Sequence, residues 1–239
     1  LVEDTNKFKL VRANRFSALT KIAEQPNSDN TLSGDNFTFG EIENISFSGL
    51  SDGMGTGTRA NLESKVAIEM LEKMMEINVD KEVTIKTINN ILRTKSNDEM
   101  FTTLDLSFID LYKGNLQVIK SGASPTFIKR GNEVMAINSR SLPIGILKDV
   151  DFNIYEESIE DGDLIIMMSD GVLECNKENQ AASLHLARHS LSWSIHARTT
   201  LSGQFLRYVY GLLRVYRHGV KRVARSVSGR LLLCPKAFL

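Results

Sequence analysis

The stretch FSGLSDGMGTG, residues 47–57, holds the most informative pattern in the chain. A β-prone apolar run ends at Asp52, and glycine or threonine fills four of the next five positions around Met54. A strand that ends on an acidic residue before so flexible a backbone admits three interpretations. It forms a metal site, a nucleotide-binding loop or a plain turn.

The chemistry of this stretch occurs a second time. The charge-free segment Leu164–Met168 predicts a buried strand, and it ends in Ser169-Asp170-Gly171, which repeats the Ser-Asp-Gly of residues 51–53. A further acid, Asp35, follows Ser33-Gly34. Three carboxylates that converged would repel one another unless a cation lay between them. Mg²⁺ and Mn²⁺ take oxygen ligands, and a glycine such as Gly53 lets its carbonyl approach an ion.

The two other interpretations account for less of this pattern. Asp-Gly is common in hairpin turns, so a single instance favours a turn, whereas two instances on charge-free strands leave turn and metal site evenly balanced. The glycine-rich loop lacks the Lys-Ser or Lys-Thr of a Walker motif, and no acid-ending strand lies about twenty residues further on. Nucleotide binding is therefore the weakest of the three.

The order of predicted elements indicates an α+β fold. Two strands precede Asp52, and an amphipathic helix follows from Arg59 to about Asn78. A second helix is predicted from Lys81 to Thr94, and five or six strands follow it. Strands grouped apart from helices favour an antiparallel architecture. The predicted core stripe of the first helix consists of Leu62, Val66, Met70, Leu71, Met74 and Ile77.

The charge of the chain divides it in two. Residues 1–178 carry all 29 acidic side chains, whereas residues 179–239 carry ten basic side chains and no acidic one. This change predicts a boundary, with an atypical basic tail at 179–239. Leu, Ser and Arg, which have the most codons, dominate the tail, so we expect a non-native end from an out-of-frame read or a fusion. The alternative is a basic, partly helical segment that contacts a membrane surface or nucleic acid.

The remaining composition predicts a cytoplasmic protein. No run of eighteen apolar residues is present, and the two cysteines, Cys175 and Cys234, indicate a reducing compartment rather than a disulfide framework.

Several motifs, in order, resemble one known family: SGDNF, FSGLSDGMGTG, MFTTLDLSFIDL, SGASPTFI, SLPIGI and GDLIIMMSDGVLE. They are similar to the bacterial branch of the metal-dependent type 2C (PPM) serine/threonine protein phosphatases, and within it to sporulation phosphatases. The resemblance covers residues 1–178. It implies an α/β/β/α sandwich, in which two antiparallel sheets are flanked by helix pairs, incomplete here at the C-terminal end.

The resemblance also implies the roles of individual residues. Asp52 would bridge two divalent cations, Mn²⁺ or Mg²⁺, with the Gly53 carbonyl and Asp35 on one ion and Asp170 on the other. The nucleophile would be a metal-activated water, so no side chain is predicted as a catalytic nucleophile. Met54 to Gly57 would form the turn into the helices, and Thr102 and Thr103 would be structural.

The implied partner is a phosphoserine protein, by resemblance an anti-anti-sigma factor. No nucleic acid partner is expected, and the resemblance leaves a homo-oligomer open. Membrane contact is expected only through an N-terminal region outside this sequence, which would make the chain the cytoplasmic domain of a larger membrane-anchored protein.

The chain departs from the family pattern at one point. The family carries an Asp-Asp pair near its C-terminus that supplies another ligand to the ion held by Asp170, but no Asp or Glu follows Glu178 here. This departure favours an alternative function, a catalytically impaired phosphatase-like interaction domain. A nucleotide-binding domain is the second alternative.

Overall fold

The computed structural model describes residues 13–25, 32–55, 57–94, 100–150, 152–171 and 208–217, together with strand positions 8–9, 224–226 and 231–232. The predicted incompleteness at the C-terminal end and most of the tail at 179–239 fall outside these residues.

Two helices and thirteen strands are assigned in the described part of the chain. The helices are α1 (Thr58–Glu76) and α2 (Lys81–Thr94). The strands are β1 (Phe8–Lys9), β2 (Phe16–Gln25), β3 (Asp35–Ile42), β4 (Ile45–Asp52), β5 (Leu104–Asp110), β6 (Asn115–Ser121), β7 (Thr126–Arg130), β8 (Glu133–Ile137), β9 (Asn153–Ser158), β10 (Leu164–Met168), β11 (Tyr208–Arg217), β12 (Ala224–Ser226) and β13 (Leu231–Leu232).

The strands form two five-stranded antiparallel sheets. Sheet I has the order β3-β4-β5-β6-β9, and sheet II has the order β2-β11-β10-β7-β8. A small third sheet contains β1, β12 and β13. The predicted antiparallel α+β sandwich is therefore confirmed. In sheet II, β11 lies between β2 and β10, so residues 208–217 form a strand rather than part of a helical segment.

Two apolar layers hold the sandwich together. One lies between the sheets, where Leu50, Ile109 and Val118 of sheet I pack with Ile165 and Leu213 of sheet II. The other lies between the outer face of sheet I and the helix pair. One helix pair is present in the described part, so the second pair of the predicted sandwich is not among the described residues. None of the described helices combines the length and apolarity needed to cross a membrane.

The helix pair begins as the sequence predicts, and the predicted α1 stripe is confirmed for Leu71, which is buried, with Val66 and Met70 partly buried against the same core. The α1 side chains that are buried are Ala60, Glu63, Ser64, Ala67, Ile68, Leu71 and Met75. The predicted stripe is wrong for Leu62 and Ile77, which are 52% and 74% exposed. Small side chains, Ala60, Ser64 and Ala67, take three of the buried positions, and α1 lies very close to the backbone of sheet I. A Cβ at Gly49, for example, would lie 2.8 Å from Leu71 Cδ2.

Candidate functional site

Asp35 and Asp52 come together because β3 and β4 form a hairpin. Asp35 is the first residue of β3 and Asp52 the last of β4, and the register places them directly opposite each other. The Gly53 N–H donates to the Gly34 carbonyl at 3.1 Å, which continues the pairing by one step. The two carboxylates thus lie side by side at one end of sheet I, and Asp35 is 9% exposed.

Asp170 reaches the same place from the other sheet. It follows β10 of sheet II, and it lines a cavity of about 210 Å³ together with Asp52. The full lining consists of Leu50, Asp52, Met54, Thr103, Asp105, Gly122, Ala123, Ser124, Pro143, Met168, Ser169 and Asp170. The structure therefore brings all three predicted acids to one end of the sandwich. Asp35 and Asp52 come from sheet I, and Asp170 comes from sheet II.

Their electrostatics show that the three carboxylates interact. Burial, and then the charges of Asp35 and Asp170, raises the pKa of Asp52 to about 9. Burial also raises the pKa of Asp35, and the charge of Asp170 adds to this effect. Hydrogen bonds from Asp52, Ser169 and Ser33 oppose the shift of Asp35 without cancelling it. Without a cation, the site retains protons that ordinary carboxyl groups release near pH 4.

The donor set suits hard divalent cations that keep part of their water. Within the described residues, no three His, Cys, Asp or Glu side chains are spaced to enclose one ion by themselves. Mg²⁺ usually retains several waters and binds through one or two carboxylates, so the pair of Asp35 and Asp52 with the Gly53 carbonyl fits its chemistry. The assignment of Asp35, Asp52, Gly53 and Asp170 as ligands stays a prediction.

Thr102 and Thr103 fix the backbone of Asp52, a role that the sequence analysis described only as structural. The Asp52 N–H donates to Thr103 Oγ1 at 2.9 Å, and the Thr103 N–H donates to the Asp52 carbonyl at 2.9 Å. The Thr102 hydroxyl donates to the same carbonyl at 2.7 Å. Thr102 is fully buried. These contacts hold the main chain of the proposed bridging ligand against the start of β5.

Gly53 lies where no side chain fits. A Cβ at this position would be 1.9 Å from the carbonyl oxygen of Ala60 in α1. The same helix holds the turn before Asp35, because the Asn61 side chain donates to the Ser33 carbonyl at 2.7 Å and Ser64 donates to the Gly34 carbonyl. Helix α1 therefore fixes both ends of the β3–β4 hairpin that carry the acids.

The segment after Gly53 leads directly into α1, as predicted for residues 54–57. Gly55 and Gly57 have φ angles of 92° and 84°, which a glycine adopts without the strain of a side chain. Helix α1 begins at Thr58 without a side-chain cap. These glycines let the chain reverse between Asp52 and a helix packed tightly behind it.

Comparison with known proteins identifies relatives of this arrangement. The family model described as Stage II sporulation protein E (SpoIIE) matches residues 47–214, which includes part of the tail that the sequence analysis set apart at 179–239. The origin and boundary of that tail stay predictions.

Two curated relatives are named Stage II sporulation protein E. The Bacillus subtilis (strain 168) protein is 41% identical over 174 residues, which are 72% of this chain and 21% of the relative. The Priestia megaterium protein is 36% identical over 170 residues, which are 71% of this chain and 29% of the relative. The chain thus spans less than a third of either relative.

A solved structure shares the fold. It contains the PP2C phosphatase domain and a fragment of the regulatory domain of SpoIIE from Bacillus subtilis, and it superposes with a TM-score of 0.76 at 34% identity. The match covers 86% of this chain and 64% of that one. With the acids of both sheets gathered at one end of the sandwich, these similarities show that the chain belongs to the SpoIIE family and comprises a PP2C-type serine/threonine phosphatase domain.

Proposed function

We propose that this chain removes phosphate from phosphoserine in a regulatory protein, in a reaction that depends on two Mn²⁺ or Mg²⁺ ions. The observation that supports this most is the convergence of Asp35 and Asp52 from sheet I with Asp170 from sheet II. Burial and mutual repulsion raise the pKa values of Asp35 and Asp52, and a bound divalent cation would relieve this repulsion.

Four positions would hold the ions. Asp52 would contribute to both ions, the Gly53 carbonyl and Asp35 to one, and Asp170 to the other. RsbX, a structure with a similar fold at 16% identity and a TM-score of 0.61, was solved in complex with magnesium. Bound cations would supply Lewis-acid stabilisation of the phosphoryl oxygens and lower the pKa of a water molecule that can attack phosphorus.

The protein itself positions the proposed ligands. Thr102 and Thr103 hold Asp52 by its backbone, and α1 holds the turn that leads to Asp35. The adjoining cavity offers carboxylates, hydroxyls and apolar walls. The proposed metal-activated water needs no side-chain nucleophile.

We propose the substrate and the cellular setting by analogy with relatives. A protein named Phosphoserine phosphatase RsbU, from Bacillus subtilis (strain 168), is 25% identical over 150 residues, which are 62% of this chain and 45% of the relative. This name supports phosphoserine as the substrate group, and the proposed protein substrate is an anti-anti-sigma factor. We place the domain in the cytoplasm, as part of a larger membrane-anchored protein that can form homo-oligomers.

A second candidate is a phosphatase-like interaction domain with impaired catalysis. The sequence favours it in one respect, since no Asp or Glu follows Glu178 to complete the ligands of the second ion. Nucleotide binding is a weaker candidate, because the acids beside the glycine-rich turn would repel phosphates. Stabilisation of the protein by ATP without divalent cations would favour it.

Hydrolysis of a phosphoserine peptide, with Mn²⁺ or with excess EDTA, separates these candidates. We expect turnover that requires Mn²⁺, is lost in Asp52→Asn and is kept in the control Asp149→Asn, which changes an exposed carboxylate. Turnover that persists in EDTA would contradict the proposal. Stabilisation by Mn²⁺ without any turnover would favour the impaired interaction domain.

A further inference from the structure

Three buried polar side chains connect the two sheets beneath the candidate site. Lys120 Nζ lies 2.7 Å from Asp105 Oδ1 and donates to Thr126 Oγ1 at 2.7 Å. The Thr126 hydroxyl donates in turn to Asp105 Oδ2 at 2.6 Å. All three residues are at most 1% exposed. We name Asp105, Lys120 and Thr126 the inter-sheet triad.

The triad joins strands of different sheets. Asp105 on β5 and Lys120 on β6 are cross-strand partners in sheet I. Thr126 is the first residue of β7 in sheet II. The Thr126 hydroxyl therefore connects an ion pair that belongs to one sheet with the backbone of the other.

The triad also lies at the same end of the sandwich as the acids. Asp105 lines the cavity that Asp52 and Asp170 line. In sheet I, Asp105 pairs with Leu50, two residues before Asp52. In sheet II, the residue after Thr126 pairs with Ile166 of β10, the strand that leads to Asp170. Asp105 thus lies on a strand paired with β4, which ends at Asp52. Thr126 lies on a strand paired with β10, which leads to Asp170.

Stability alone does not explain a charged pair at this place. Removing two charges from water costs several kcal/mol each, and well-packed apolar residues in place of a buried ion pair are often equally or more stabilising. What the triad adds is a fixed geometry, because its distances are short and Thr126 both accepts from Lys120 and donates to Asp105.

We propose that the inter-sheet triad positions Asp52 relative to Asp170 across the two sheets, and that it thereby sets the affinity of the site for divalent cations. Asp105, Lys120 and Thr126 are positioning residues in this proposal, and it rests on the proposed metal-dependent function.

Thr126 is the residue whose replacement tests the connection most cleanly. Asp105 Oδ1 contacts Lys120 within sheet I, whereas Asp105 Oδ2 accepts the hydrogen bond that crosses from Thr126 of sheet II. Thr126→Val has nearly the same shape, leaves the ion pair within sheet I and removes the hydroxyl that joins the sheets. Thr126→Ser keeps the hydroxyl and loses only a methyl group.

The experiment measures the melting temperature of the full chain over a Mn²⁺ titration that begins in chelator. Each variant gives a metal-free melting temperature and, from the logarithmic rise of stability with Mn²⁺, an apparent dissociation constant, which is the half-saturating Mn²⁺ concentration. Thr84→Val serves as a matched control, because Thr84 is also fully buried but bonds the Asp80 carbonyl at the start of α2, outside the sandwich core.

We expect Thr126→Val to raise the half-saturating Mn²⁺ concentration by about tenfold, the lower part of the range for outer partners of metal ligands. In Thr126→Ser the half-saturating Mn²⁺ concentration should stay within about twofold of wild type. Thr84→Val should lower the metal-free melting temperature but leave the half-saturating Mn²⁺ concentration unchanged. A Thr126→Val protein that loses stability while its half-saturating concentration stays at the wild-type value would overturn the proposal.

A double variant covers the case in which Thr126→Val does not fold. Asp105→Leu combined with Lys120→Met removes both buried charges together, an exchange that proteins often tolerate. We expect it to fold and to need more Mn²⁺ for half-saturation, whereas unchanged Mn²⁺ dependence would overturn the proposal. A wild-type chain that Mn²⁺ does not stabilise would contradict the proposed function, and with it this inference. Wild-type stabilisation with unaffected variants would contradict this inference alone.

Discussion

Asp35 lies directly opposite Asp52 across the antiparallel β3–β4 pair, so two acidic side chains are cross-strand neighbours at the open end of this hairpin. Like charges at directly opposed positions destabilise a sheet. Two features reduce this cost, namely the protons that the raised pKa values keep on the carboxyl groups and the cations proposed to bind there. The predictions below follow from this pairing and from the contacts around it.

Asp52→Asn should separate activity from stability. The amide keeps the shape of the side chain but removes the charge proposed to bridge two ions. We expect phosphatase activity to fall by more than the roughly 10- to 100-fold that the loss of an outer-shell partner costs. The metal-free melting temperature should rise near neutral pH, because Asp52 has to take up a proton on folding whereas the amide is neutral in both states. Phosphopeptide hydrolysis and melting in EDTA measure the two effects, and a lower metal-free melting temperature would contradict the explanation.

The stability of the metal-free protein should decrease as pH rises. The pKa of Asp52 is raised from 3.8 to about 9. Between these two pH values, the folded state therefore keeps a proton on Asp52, whereas the unfolded state releases it. The free energy of unfolding therefore falls with rising pH across the window. Melting temperatures in EDTA between pH 6 and pH 9, compared with those of Asp52→Asn, isolate this contribution. Parallel pH profiles for the two proteins would show that Asp52 does not titrate in this way.

Gly53→Ala should destabilise the domain by steric overlap. The new Cβ would meet the carbonyl oxygen of Ala60, a backbone atom that no rotamer change can move. We expect a loss of about 1–3 kcal/mol in the free energy of unfolding, as for other overpacked sites, together with weaker Mn²⁺ binding. Gly131→Ala is the control, since its Cβ would have no neighbour within 4 Å. Because Gly131 has a φ of 55°, Gly131→Ala should cost about 1 kcal/mol in the free energy of unfolding. This variant should leave Mn²⁺ binding unchanged.

Arg130 should contribute far more to stability than exposed ion pairs do. Its guanidinium donates to both oxygens of Asp163 at 2.9 and 2.7 Å, and the Asp163 side chain is 1% exposed. Arg130→Ala should cost about 2–3 kcal/mol in urea unfolding, below the range for fully buried pairs because Arg130 is 40% exposed. Lys65→Ala, which breaks a 3.8 Å pair of exposed side chains with Glu69, should cost less than about 0.5 kcal/mol. Equal losses in the two variants would contradict this ranking.

The elements near the acids could be predicted because each carries its own local pattern. The helical spacing of apolar residues predicts α2 at its observed bounds, Lys81–Thr94. The alternation of apolar and polar residues on either side of a tight turn predicts the β3–β4 hairpin. Convergence of Asp35 with Asp52 then follows from hairpin register. Convergence with Asp170 depends on how two sheets pack, which local patterns do not encode.

Packing also explains what the sequence could not show. In α1 the apolar side chain of Leu62 is exposed, whereas the small residue Ala60 lies on the inner face, where the helix approaches Gly53 closely. The inter-sheet triad is hidden for a related reason. Asp105 and Lys120 look like solvated positions of alternating strands, and only the opposing sheet makes them interior.

The place of β11 has a consequence for how the chain matures. Strand β11 pairs with β10 and with β2, which ends at Gln25. In sheet II, β2 therefore has no paired strand until residues 208–217 have been synthesised. At synthesis rates of about 5–20 residues per second, β2 leaves the ribosome on the order of ten seconds or more before its partner. During that interval the polypeptide exposes unsatisfied strand edges, which are sites of aggregation. Chaperone binding to the nascent N-terminal half is therefore expected to determine the yield of folded protein.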